Sequence, residues 1–148
     1  MQRFIENAKT RLAPEPVLRI AELVDWQSVE NTMHAEYWRD FFRKGGRVPY
    51  DHRAMFRALL LSRWHGLSYP KLERALRVRL DFLIFCGFDA GGKLPDACTL
   101  NRFQVRLSAD GMFDEMVAEV ERQLHDNGLE LRATLGALSD LKLVKMHS

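Results

Sequence analysis

Cysteine is scarce, with two in 148 residues. Two thiols cannot build a disulfide framework. Cys86 and Cys98, twelve positions apart with no histidine pair nearby, do not fit the usual zinc-site spacings. Cys86 lies in an apolar run and is expected as a buried thiol, with Cys98 in the loop before Thr99. No run of about 18 uncharged apolar residues exists, so no membrane span is indicated. The amino terminus has no basic region followed by a hydrophobic segment, so no signal peptide is indicated either. A cytoplasmic protein without membrane contact is expected. The histidines, His34, His52, His65, His125 and His147, are scattered, and there is no His-x-x-x-His pair and no Gly-x-Ser-x-Gly turn. Residues 87 to 92 hold three glycines, but Lys93 is followed by Leu94 rather than Ser or Thr, which excludes a phosphate-cradling loop. These absences argue against an enzyme in its own right.

Apolar residues make up 47% of the chain, enough to bury the core of one domain. Their spacing is helical nearly throughout. Met1 to Ala13 forms at best a short helix, and Pro16 is placed to open one carrying Val17, Leu18, Ile20, Ala21 and Val24. Trp26, Val29, Met33 and Tyr37 recur at steps of three and four. Met55, Phe56, Leu59, Leu60 and Trp64 do the same between Asp51 and His65. Gly66 breaks that helix and Ser68 is a good N-cap for the next, with Pro70 in its first turn. Leu72, Ala75, Leu76 and Leu80 form its dry stripe, while Lys71, Arg74 and Arg77 repeat on another side. Asp96 or Thr99 starts a helix with Leu100, Phe103 and Leu107 inward and Arg102 and Arg106 on another face. Asp110 is placed to cap a last helix with Phe113, Met116, Val117, Val120 and Leu124 as its stripe, ended by Gly128. The expectation is an all-α, compact multi-helix domain with a helix-turn-helix-like pair, with room for one short carboxy-terminal strand remnant.

Charge is uneven beneath a net +2. Residues 39 to 108 hold fourteen basic and six acidic groups, whereas residues 109 to 130 hold one and seven. A basic middle of this kind is what a phosphate-binding surface needs, and a solvated helix surface would show the same composition. His52 and His65, flanking one helix, are expected at the surface or in caps, with phosphate contact as the minor alternative.

In order along the chain come Gly46, Arg47 and Pro49; a hydrophobic helix from Met55 to Trp64; Leu67 and Ser68; an Arg-rich helix from Arg74 to Arg79; Phe85 and Gly87; and Pro95, Asp96, Thr99 and Phe103. This ordered series resembles the amino-terminal region of insertion sequence 5-family transposases of the DDE type, over roughly residues 20 to 144. The resemblance implies double-stranded DNA as partner, specifically transposon ends with their terminal inverted repeats, bound by a bacterial cytoplasmic protein that joins the nucleoid. Lys71, Arg74 and Arg77 would then enter or border the major groove, with Arg43, Lys44, Arg47, Arg102 and Arg106 holding phosphates.

It also implies that a helical DNA-binding and assembly domain, residues 1 to 130, leads into a ribonuclease H-like catalytic domain, of which residues 131 to 148 would be the start. Asp140, in Leu138-Ser139-Asp140-Leu141-Lys142-Leu143-Val144, would match the first of three metal-binding carboxylates, although Ser139 and Lys142 depart from the pattern. A full-length transposase would use divalent metal, magnesium, held by all three carboxylates; one aspartate cannot hold it, so no cofactor is expected here. The chain stops at Ser148, and the expectation is a truncated form that binds ends without cutting, as a repressor or a relic. The competing expectation is a helical interaction module, dimerising through the 111 to 126 helix or a central stripe, or a truncated chain with no function.

Overall fold

The computed structural model describes residues 3, 16–32, 50–89, 92–109, 111–133 and 141–145. Apart from Arg3, the expected helix in Met1 to Ala13, the continuation of the aromatic stripe to Met33 and Tyr37, and the basic loop from Arg43 to Arg47 fall outside them. Helix α1, Pro16–Leu23, opens on its proline as expected and buries Val17, Leu18 and Ile20. Asp25 accepts from the Ser28 N–H and so caps α2, Trp26–Asn31.

Helix α3, His52–His65, begins at the Asp51 cap, whose carboxylate accepts from the Arg53 N–H at 3.1 Å. It buries Ala54, Met55, Phe56, Ala58, Leu59, Leu60 and Leu61, more than one stripe. That breadth makes it the central element, packed by the helices Tyr69–Val78, Leu80–Cys86 and Ala97–Ser108. Gly66 ends it at φ 63°, where a side chain would be strained. Three residues later α4, Tyr69–Val78, begins under the Ser68 cap and buries Leu72 and Leu76.

Leu80, expected in the stripe of this helix, is not part of it; of the two readings open for Asp81 to Phe85, continuation or restart, the chain takes the restart. Arg79 is extended, and α5, Leu80–Cys86, starts afresh. An unbroken helix would carry the inward phase from Leu72 and Leu76 to Leu83. The break instead turns Phe82, Phe85 and Cys86 into the core. Arg79 is fixed there by a two-pronged pairing with Asp81, at 3.1 and 2.7 Å, and lies 4.0 Å over the Phe82 ring.

Helix α6 runs Ala97–Ser108 from the Asp96 cap, so Cys98 lies in its first turn and not in a loop. Its inward residues are Leu100, Phe103 and Leu107, as expected. Helix α7, Met112–Asp126, starts from Gly111 with no side-chain cap; Asp110 lies outside the described residues. Its stripe of Phe113, Met116, Val117, Val120 and Leu124 is buried in the chain's own core. Near its end the buried Gln123 accepts from the Asp25 N–H at 2.7 Å and donates to the Asp25 carbonyl at 3.2 Å. This pins the α1–α2 elbow to α7 across 98 residues.

The chain is thus an all-α domain with one small addition. Where a single strand was expected there are two, β1, Leu129–Ala133, and β2, Leu141–Lys145, paired antiparallel with Leu131 opposite Leu143. The hairpin lies on α7 and α1, and its first strand begins two residues before position 131.

Candidate nucleic-acid interface

The two helices α3 and α4 meet through the short turn Gly66-Leu67-Ser68. Ser62 holds the turn from inside, its hydroxyl donating to the Leu67 carbonyl at 2.7 Å while its carbonyl accepts the Leu67 N–H. With Leu72 and Leu76 fully buried, the opposite side of α4 must face water. That side carries Pro70, Lys71, Arg74, Arg77 and Val78, all exposed. Among the described residues Lys71 and Arg74 make no ion pair, and Arg77 reaches only Glu73 of its own helix, at 3.3 Å.

Other cations of the basic middle are engaged in holding the fold. Arg53 pairs with Glu30, and Arg63 with Asp114 at 3.1 Å. Arg57 stacks 4.2 Å over the Trp26 ring and donates to the Phe85 carbonyl; burial pulls its pKa down. His65 is buried, its Nδ1 3.1 Å from the Leu61 carbonyl and its ring against Phe82, which removes it from any phosphate. His52 is half-buried beside Asp51.

Glu73 joins α4 to the next basic element. One carboxylate oxygen accepts the Ala97 N–H at 2.7 Å, satisfying an orphan amide at the start of α6. Beside this tie lies an open groove of about 450 Å³ lined by Tyr50, Arg77, Gly92, Lys93, Leu94, Asp96 and Thr99. Tyr50 donates its hydroxyl to the Leu94 carbonyl, and burial followed by the Asp96 charge pushes its pKa up. The Asp96 carboxyl is held below the usual range, chiefly by the Thr99 N–H and hydroxyl, with Arg102 and Lys93 adding attraction. Arg77, Lys93 and Arg102, from three separate stretches, therefore surround one end of α6. Arg102 is exposed and Arg106 half-buried on the same helix.

Lys93 is the residue that the sequence alone does not point to. Its Gly-rich context suggests only a nucleotide loop, and nothing local in the sequence places it beside Arg77. Arg43, Lys44, Arg47 and Asp140 lie outside the described residues. Acidic Asp114, Glu115, Glu121 and Asp126 are exposed on α7, whose outward side bears few cations. Among the described residues no three His, Cys, Asp or Glu side chains are placed to hold a metal ion. No helix among them is long and apolar enough to cross a membrane.

The chain's similarity to known proteins falls on this same region. Residues 5–106 match a family described as Transposase domain (DUF772), a span that includes α1 through most of α6. No curated protein and no solved structure matches the chain.

Proposed function

The chain belongs to the DUF772 transposase-domain family, and from that premise we propose that its helical region binds double-stranded DNA at transposon ends, recognising terminal inverted repeats. The exposed cationic side of α4 carries this reading. Lys71, Arg74 and Arg77 are solvent-facing on a helix whose other side is locked into the core, and Lys93 and Arg102 extend the charge across the adjoining groove. The pair α3–α4 acts as a helix-turn-helix, in which the second helix enters or borders the major groove and flanking cations hold phosphates. Arg43, Lys44 and Arg47 join the phosphate contacts, and so does Arg106. The acidic outer side of α7 faces away from DNA, since like charge repels it. The function proposed is binding, with metal-dependent strand cleavage assigned to a full catalytic domain.

The test is fluorescence anisotropy on duplexes carrying the repeats that flank the gene, against scrambled duplex, over a salt series. Tenfold or greater preference for the repeats, roughly 1.4 kcal/mol, together with a steep negative salt slope, is the expected result. Equal weak binding to both duplexes would reduce the basic surface to general electrostatics, and no binding at low salt would remove DNA as the partner.

A further inference from the structure

Helix α6 presents a different chemistry to solvent from α4. Its outward positions are Cys98, Asn101, Arg102 and Val105, an uncharged amide and an aliphatic side chain flanking a guanidinium. The Asn101 amide makes no hydrogen bond among the described residues. Val105 is 57% exposed and Val78, at the end of α4, 76%; with Leu23 they are the large exposed hydrophobics of the described chain. Asn and Val are both weak helix formers, so local propensity does not account for either on a surface where packing does not decide the residue. Four apart, they sit one above the other on one strip.

That strip begins at the cationic groove. Thr99 lines the groove, Arg102 acts on Asp96 within it, and Asn101 and Val105 continue outward along the same helix. Helices in contact lie roughly 8–10 Å apart, and a major groove about 12 Å wide admits one helix. Packed as they are, α4 and α6 cannot both enter it. The cations of α4 match a phosphate wall, which carries charge but no sequence. The α6 strip matches base edges. A side-chain amide bonds in a two-pronged way to adenine N6 and N7, and the apolar group of the major groove is the thymine methyl. At about 1.5 Å per residue and 3.4 Å per base pair, side chains four apart reach base pairs about two steps apart.

Resting on the DNA-binding reading above, we propose that α6 is the base-reading helix: Asn101 and Val105 select A·T pairs about two steps apart in the terminal repeat, while α4 lies along the phosphate wall. Both residues change to alanine with a gain in helix propensity, so the fold is retained.

The experiment measures competition by repeat duplexes, each with one base pair replaced, for the full chain and for its N101A, V105A and double variants. Scrambled duplex and thermal melting serve as controls. The expected result is a tenfold or greater loss of discrimination at one or two A·T positions, with affinity for scrambled duplex within twofold of the parent. An unchanged preference profile in the double variant, alongside a parent that still prefers the repeats, would overturn the assignment of α6 and leave DNA binding intact. A parent without any preference for the repeats would instead sink end recognition, and this inference with it.

Discussion

Glu73 of α4 accepts the backbone N–H of Ala97 at 2.7 Å, and its other carboxylate oxygen lies 3.3 Å from Arg77. One side chain thus closes the first turn of α6 and orients a cation on α4, across 24 residues of chain. A hydrogen bond to a charged group contributes about 1.5–3 kcal/mol net, and the carboxylate is largely shielded. Glu73→Ala is expected to lower stability by about 1–2 kcal/mol in urea unfolding. Glu73→Gln keeps an acceptor for Ala97 and loses only the half-exposed pair with Arg77, so it should cost less than about 1 kcal/mol. Equal losses in the two variants would show that the ion pair, and not the amide cap, carries the contribution.

His52 couples the amino-terminal half of α3 to pH. Burial lowers its pKa, against the pull of Asp51 and Glu30, while Arg53 adds to the lowering. A histidine with a folded pKa below its unfolded value of about 6.5 takes up its proton more readily when unfolded. Its neutral form therefore contributes stability above pH 6.5 that is lost as pH falls through the folded pKa. The urea midpoint should drop between pH 7.5 and 5.5, and His52→Gln should flatten part of that drop. A variant with the same pH slope as the parent would show that carboxylates alone set it.

The two thiols should react very differently. Cys86 is buried in the same core as Phe82 and Phe85, and burial pushes its pKa far up, whereas Cys98 is exposed on the first turn of α6. Thiolate is the reactive form. Native protein treated with iodoacetamide at pH 8 is expected to gain one adduct, at Cys98, and a second only in urea. Repeat duplex should slow labelling of Cys98 if α6 faces DNA. Rapid double labelling of the native chain, read by mass spectrometry, would contradict the burial of Cys86.

The periodic parts of this fold are legible because their causes are local. The stripes Phe113 to Leu124 and Leu100 to Leu107, the Ser68 cap and the Gly66 stop each follow from a few neighbouring residues. The break at Arg79 does not: helical phase favours continuing, and it is the burial of Phe82 and Phe85 with the Asp81 chelate that ends α4. The pairing of β1 with β2 is hidden for the same reason, since register belongs to two segments at once. In the candidate site, Lys71, Arg74 and Arg77 are readable as one helix face. The convergence of Lys93 with Arg77 and Arg102 depends on the Glu73–Ala97 tie, a long-range interaction that charge counting along the chain does not contain.

Arg74 and Arg77 separate electrostatic affinity from folding. Both are exposed, Arg74 makes no ion pair among the described residues, and the Arg77 pair with Glu73 lies within one helix at the surface. Such a pair is worth at most about 1 kcal/mol, so R74E/R77E should fold with a melting temperature close to the parent's. On DNA the change removes two cations and adds two anions. Each phosphate left without its cation reduces the slope of log affinity against log salt by roughly 0.9, so a slope shallower by about two units is expected, with affinity at low salt down by tenfold or more on repeat and scrambled duplex alike. Sequence preference among duplexes that still bind should survive, because a phosphate wall positions without reading. An unchanged slope would mean that these arginines are solvated and that α4 does not touch the backbone, whereas loss of repeat preference alone would move α4 from the wall into the groove.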